Sequence, residues 1–245
     1  MRGLFIVFEG IDGAGKSTQV KMLAGALARR GYGVEVCRDP GGTKLGEQIR
    51  GILLESAENI APPAEALLYA ASRAQLAAEL IRPALRRGKV VIGDRFSDST
   101  LAYQGFGRGL PVDLLRRVNK LADGELAPDL TVLLDLPPEM VRERLAGRRD
   151  RLEKEAVAFF ERVRKGYLTL AGEKPESCLI LDARRPLAEI QQQVLGKVEN
   201  LLGLVSAGKG LEMLQGSVHG SGPQDFKAVR QQVMEENVRK RNARN

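Results

Sequence analysis

Tryptophan is absent from this 245-residue chain, histidine occurs once and cysteine twice. Cys37 and Cys178 stand far apart and outside any CxxC spacing. That excludes a disulfide framework and a cysteine metal site; both read as small core residues in a reducing cytoplasm. The single histidine, His219, has no partner group near it in sequence and carries no role. No apolar run approaches the roughly 20 residues that cross a bilayer, so no membrane span is expected. The N-terminal apolar run, about six residues, leads into a glycine-rich loop and is no signal peptide. There is no internal repeat. What remains, 43% hydrophobic and 28% charged residues, is the composition of a soluble globular protein with chain enough for one substantial core.

The formal net charge is +7. Residues 203–245 hold seven Lys or Arg against four Asp or Glu, so +3 lies there and +4 in the first 202 residues. Arginine-lined sites for anionic nucleotides account for the +4, and nucleic acid is not expected as a partner of that part.

The chain is organised around Gly10-Ile11-Asp12-Gly13-Ala14-Gly15-Lys16-Ser17-Thr18, which satisfies G-x-x-x-x-G-K-[ST] in full. The motif needs a strand before it and a helix after it. Leu4–Phe8 reads as a buried strand, and residues 20, 23, 24 and 27 give Thr18–Arg30 a helical apolar spacing. Three glycines let the loop curl so that successive N–H groups converge on a phosphate, and the helix adds its partly positive N-terminus. Lys16 then reaches the β- and γ-phosphates, and the Ser17 hydroxyl is placed to ligate Mg²⁺.

Val34–Cys37 is a second strand, giving a βαβ unit. Arg38-Asp39-Pro40-Gly41-Gly42-Thr43 is a tight loop at that strand's carboxyl end, where open α/β sheets bind ligands. Arg38 brings a further cation to a cationic site, which favours a functional loop over a plain turn, and Thr43 is placed to cap a helix to about Leu54. Pro62-Pro63 opens a long helix to about Arg87, on which Tyr69 and Arg73 share a face. The pair suits stacking on a base and hydrogen bonding to it. Spacing alone favours a core tyrosine and a solvated arginine.

Lys89–Gly93 is a third strand, followed by Asp94-Arg95. There the carboxylate can hold Mg²⁺ and the guanidinium a phosphate. Ser99, Thr100, Tyr103 and Gln104 follow in a polar, aromatic segment. Val112–Ala122 is helical, Leu130–Asp135 is a fourth strand, and Pro138–Ala146 and about 154–172 are helices flanking an Arg-dense bend at 147–153. That bend is placed to fold over a triphosphate as a lid, about 146–154. Leu179–Ala183 is a fifth strand and Leu187–Leu202 a closing helix. Five apolar strands alternating with helices imply an α/β fold, a five-stranded parallel doubly wound sheet of P-loop NTPase type with a helical lid. Residues 1–202 form the domain, 203–223 a Gly-rich linker, and 224–245 a basic tail with near-helical apolar spacing, of unknown partner.

Taken in order, these motifs resemble the thymidylate kinase family of P-loop nucleoside monophosphate kinases. The resemblance covers about residues 3–202. It rests on the phosphate loop, Asp39-Pro-Gly-Gly-Thr43, Tyr69-Ala-Ala-Ser-Arg73-Ala-Gln75, Asp94-Arg95-Phe96, Ser99-Thr100-Leu-Ala-Tyr103-Gln104-Gly105, Pro128-Asp-Leu-Thr131 and Asp150-Arg-Leu-Glu153. It implies transfer of a phosphoryl group from ATP to dTMP, with Mg²⁺, in dTTP biosynthesis. By the same resemblance, Gly10 to Thr18 would bind ATP, with Lys16 on its phosphates. Asp12 would lie near the sugar and phosphate end of dTMP, and Arg38 and Arg95 would clamp the acceptor phosphate. Tyr69 would stack on thymine and Arg73 hydrogen-bond it. Ser99, Thr100, Tyr103 and Gln104 would line the base and sugar pocket, and Ser17, Asp94 and Glu153 would be metal ligands. With Ala14 where some members carry a basic residue, the transition-state arginine falls in the lid, at Arg148, Arg149 and Arg151. A cytoplasmic homodimer is implied. Two other readings stand beside this one: a P-loop kinase for another nucleoside monophosphate or a deoxynucleoside, and an ATP-binding switch protein acting through its basic tail. Arg38 and Arg95 argue against a nucleoside acceptor, and the Tyr69–Arg73 pair would be idle in a switch.

Overall fold

In the computed structural model, residues 3–55, 59–144 and 155–203 are described. The expected lid, with Arg148, Arg149, Arg151 and Glu153, lies outside them, as do the linker and tail after Gly203.

In chain order the elements are β1 (Phe5–Glu9), α1 (Lys16–Arg29), β2 (Val34–Arg38), α2 (Lys44–Glu55) and α3 (Pro62–Leu76), then α4 (Arg82–Arg86), β3 (Val90–Asp94), α5 (Ser97–Thr100) and α6 (Val112–Asp123). They continue with β4 (Leu130–Asp135), α7 (Val141–Arg144), α8 (Val157–Gly172), β5 (Cys178–Asp182) and α9 (Leu187–Leu201). The five strands form one all-parallel sheet in the order β2-β3-β1-β4-β5, as expected of a doubly wound fold. β1 and β2 are not neighbours in their βαβ unit, because β3 lies between them. β1 is buried along its whole length and β3 up to Asp94, so both faces of the sheet's middle are covered. The chain divides into two units, residues 1–198 and 199–245; of the second, residues 199–203 are described.

Local chemistry sets the helix ends. Thr43 accepts the Gly46 N–H at 3.0 Å and so caps α2. Pro62 opens α3, where its missing N–H costs nothing. Gly124 ends α6 in the left-handed conformation, with Arg82 donating to the free Asp123 and Gly124 carbonyls. The single long helix expected to about Arg87 is interrupted by a π-helical segment, Ala77–Ile81. Pro83 explains the interruption: it has no N–H for the carbonyl four residues back, so the preceding turn widens. Residues 97–105, read from the sequence as a polar, aromatic segment with no secondary structure assigned, lie in α5 and a second π-helical segment, Leu101–Gly107. α8 packs closely against that segment because Gly166 has no side chain; a Cβ there would lie 2.7 Å from the Phe106 ring.

Register places the site. Asp94 pairs with Phe8 on one side and Arg38 on the other, so three strands end at one level. The ladder runs on past them: the Arg95 N–H donates to the Phe8 carbonyl and the Asp39 N–H to the Asp94 carbonyl, each at 3.0 Å. The loops after β1, β2 and β3 therefore leave the sheet side by side, at the edge where doubly wound sheets bind ligands.

Candidate active site

Between these loops lies a cleft of about 410 Å³. One end is the phosphate loop. Gly10 has φ of +136°, and a Cβ there would stand 2.4 Å from the Leu134 carbonyl oxygen, so only glycine fits. Gly15, at φ +92°, turns the chain into α1, and no acidic residue occupies that helix's first turn. Lys16 is buried, its Nζ donating to the Gly10 and Ile11 carbonyls at 3.0 and 2.9 Å. Burial, followed by the nearby Arg95 cation, pulls the Lys16 amine down to about 8. The Ser17 hydroxyl donates to Asp94 at 2.5 Å, so a hydroxyl and a carboxylate stand together at the loop's exit. Among the described residues no three His, Cys, Asp or Glu side chains converge into a metal site.

Arg95 joins the two ends of the cleft. Its φ is +71°, an unfavourable backbone for a side chain of that size. One guanidinium nitrogen donates to the Gly10 carbonyl at 3.0 Å, the Ser99 hydroxyl at 3.2 Å and the Tyr167 hydroxyl at 2.9 Å. The other donates to the Asp12 carboxylate and to the Tyr103 hydroxyl, and the group lies 4.9 Å from the Tyr103 ring centre. Tyr103 in turn donates to Asp12 at 2.7 Å. Burial acts to raise the Asp12 carboxyl, but Arg95 and Lys16 outweigh it and hold the group below the usual carboxylate range.

The other end of the cleft is aromatic and guanidinium-lined: Tyr69 and Arg73 from α3, with Thr100, Tyr103 and Gln104 from residues 97–107. Arg73 is completely buried. It donates to Asp39 at 2.7 Å, Asn119 at 2.6 Å and Thr100 at 2.5 Å. The solvated Arg73 favoured by its spacing is thus corrected. Its partners come from three other stretches of chain, and no local pattern shows them.

A family model described as thymidylate kinase matches residues 8–194. The chain belongs to the thymidylate kinase family. The thymidylate kinase of Desulforudis audaxviator is 54% identical over 205 residues, covering 82% of this chain and 93% of the relative. That of Deinococcus radiodurans is 49% identical over 199 residues, covering 80% of this chain and 97% of the relative. Among solved structures, the thymidylate kinase of Ehrlichia chaffeensis is 33% identical, with a TM-score of 0.68 over 81% of this chain and all of its own.

Of the residues the family resemblance singled out, Asp12, Gly13, Gly15, Lys16, Ser17 and Thr18 line the cleft, as do Arg38, Tyr69, Arg73, Asp94, Arg95, Ser99, Thr100, Tyr103 and Gln104. Gly10, Ile11 and Ala14 are buried within the loop and do not line the cleft. Arg38 is half-exposed and paired with Glu47 at 2.7 Å. Sequence reasoning missed two arginines. Arg50 lines the cleft and donates to the Pro40 carbonyl at 3.1 Å. It stands two turns after the capping Thr43, and that spacing is a usable signal. Arg144, just ahead of the expected lid cluster, reaches the Ala183 carbonyl at 2.9 Å and the Gly13 carbonyl at 3.4 Å.

Glu9 was also missed, because it reads as the last residue of an apolar strand. It is buried beneath Arg95, accepting the Phe96 N–H at 2.8 Å, the Ser99 hydroxyl at 2.6 Å and the Tyr167 hydroxyl at 3.0 Å. Burial pushes its carboxyl up to about 7, against the pull of Arg95. An acid raised in this way binds more protons folded than unfolded between its ordinary 4.5 and about 7. Its contribution to stability is complete below that window and fades as pH rises through it. Glu9→Gln, which imitates the protonated acid, is expected to flatten this loss. Denaturation midpoints at about pH 5 and about pH 7.5 compare the two proteins, and an unchanged slope in the variant would rule Glu9 out as its source.

Proposed function

We propose that the residues of this one cleft divide the work of phosphoryl transfer between a donor end and an acceptor end. The reaction is ATP-dependent phosphorylation of dTMP to dTDP, and the chain is an enzyme of that kind. The observation that carries the assignment of residues is that Lys16 and the Tyr69–Arg73–Tyr103 pocket share one cleft, with Arg95 touching both ends.

On this reading the loop amides and Lys16 hold the β- and γ-phosphates. A phosphate oxygen of dTMP attacks the γ-phosphorus in line. The bond to the β–γ bridging oxygen breaks, and its electrons leave with ADP. The acceptor oxygen is already an anion, so no base is needed; positioning and positive charge do the work. Arg95 and Arg38 hold the acceptor phosphate, Asp12 keeps the Arg95 guanidinium in place near the sugar, and Tyr69 stacks on thymine. Thr100, Tyr103 and Gln104, with Ser99 behind them, form the remaining wall. The adjacent Ser17 and Asp94 oxygens suit Mg²⁺, a hard cation that keeps phosphate and water ligands. When bound, the ion neutralises charge on the donor phosphates. Arg148, Arg149, Arg151 and Glu153 are assigned to a lid over the donor.

We further assign residues 1–202 to the kinase domain, 203–223 to a linker and 224–245 to a basic tail. A chain truncated after Leu202 that lost dTMP turnover would overturn that division. A homodimer is supported by large apolar side chains left exposed on three successively packed helices: Leu45 and Ile52 on α2, Leu67 on α3, Leu114 and Leu121 on α6. A monomer mass in sedimentation at micromolar protein would exclude it. No described helix is long and apolar enough to cross a membrane, and both cysteines are free, which fits a cytoplasmic enzyme; recovery in a membrane fraction would overturn that.

The experiment that tests the assignment is ADP release from Mg·ATP with dTMP, dUMP, dCMP, dGMP, AMP and thymidine as acceptors. Fast turnover with dTMP, slower with dUMP and little with the rest is expected. Equal turnover across the monophosphates would discard the base pocket while leaving the phosphate chemistry in place.

A further inference from the structure

Glu65 lies on α3, one turn before Tyr69 and two before Arg73, and is completely buried. Its carboxylate oxygen accepts the Gln104 side-chain N–H at 2.8 Å. Arg108 donates to both of its oxygens, at 3.3 and 3.5 Å, and also to Glu155 at 2.6 Å. An ionised carboxylate can only accept. Gln104 must therefore turn its NH₂ group towards Glu65, and its carbonyl oxygen is the atom left to face the cleft that Gln104 lines.

We propose that Glu65 is a positioning residue for base recognition: by pinning the Gln104 amide, it makes the cleft present a hydrogen-bond acceptor to the ring edge of the bound pyrimidine. Thymine and uracil carry a ring N–H donor there. Cytosine carries a ring acceptor instead, and two acceptors face to face leave both unpaired. The orientation is set by the buried carboxylate and not by the glutamine, which by itself could turn either way.

The proposal rests on the reading of this end of the cleft as the dTMP base pocket, and the test separates the two. Glu65→Gln keeps the shape but can donate as well as accept, which frees the Gln104 amide to turn. KM for dTMP is expected to rise about fivefold or more, the worth of one neutral hydrogen bond, with KM for ATP unchanged. The preference for dTMP over 5-methyl-dCMP, which matches it in shape but has the ring acceptor, is expected to fall. Gln104→Ala should raise KM for dTMP by itself, and adding Glu65→Gln to it should change little more, because Glu65 acts through Gln104.

If Gln104→Ala raises KM for dTMP and Glu65→Gln does not, the proposal fails while the base pocket stands. If neither does, the base-pocket reading of Gln104 fails. A Glu65→Gln defect that persists in full on the Gln104→Ala background makes Glu65 a structural ion-pair residue and overturns the proposal. Should Glu65→Gln not fold, Glu65→Asp decides the matter. Its carboxylate, one methylene shorter, draws back from the Gln104 amide that Glu65 holds at 2.8 Å, so the preference for dTMP is expected to fall as in Glu65→Gln, and an unchanged preference in a folded Glu65→Asp protein overturns the proposal.

Discussion

Lys16→Ala is expected to remove phosphoryl transfer while leaving the fold in place. Lys16 is the cation of the phosphate loop, and its amine is held at the loop's centre by the Gly10 and Ile11 carbonyls. Removing one preorganised electrostatic contact from a transition state typically costs about 10²–10³ in rate, and on the proposed assignment the lost group also binds the donor. The fold should survive because burial already works against the charge, lowering the amine to about 8. Taking away a cation that the folded state disfavours offsets part of the cost of leaving the Gly10 and Ile11 carbonyls one donor short. Turnover of dTMP and a thermal melt are the two measurements; turnover near the unsubstituted rate would remove the loop from the reaction.

Arg95→Ala should lower kcat/KM for dTMP by at least about 2 kcal/mol, roughly thirtyfold, as expected for one charge-assisted phosphate contact. Stability should fall as well, since the substitution strips a donor from the Gly10 carbonyl and takes from Asp12 its paired guanidinium. Two further variants separate the effects. Arg95→Gly relieves the positive φ, so it should be more stable than Arg95→Ala yet equally poor as a kinase. Arg95→Lys keeps a charge but loses the planar fork, and should recover only part of the rate. A loss below threefold in Arg95→Ala would take Arg95 out of the acceptor site.

Strand and helix identities were legible because they are local. The apolar runs at residues 4–8, 89–93 and 130–135 fall within one residue of β1, β3 and β4, and the Gly10–Ser17 loop has a spacing tied to one chemistry. Residues 97–107 were harder, since π-helical turns shift the 3.6-residue period and Gly105 and Gly107 lower helix propensity. Sheet order was not legible, and the insertion of β3 between β1 and β2 depends on packing over the whole chain. In the cleft, most of the side chains that line it were read from motif positions. The groups that hold them were not. Glu9, Glu65, Asn119 and Tyr167 act through contacts across 39 to 158 residues of sequence, which no spacing rule reaches.

The continued ladder beyond β1, β2 and β3 gives the enzyme a built-in gauge. Adjacent parallel strands lie about 4.8 Å apart, a distance set by backbone hydrogen bonds that are the same for every side chain. The phosphate loop leaves β1 and Arg95 leaves β3, next door, with the Arg95 N–H still bonded to the Phe8 carbonyl. The roots of the two loops, proposed to hold donor and acceptor, are therefore kept one strand apart by peptide geometry. On the proposed assignment, substitutions on α3 or in residues 97–107 change which base is admitted without altering that interval, so the choice of acceptor can drift over evolutionary time while the transfer step stays calibrated.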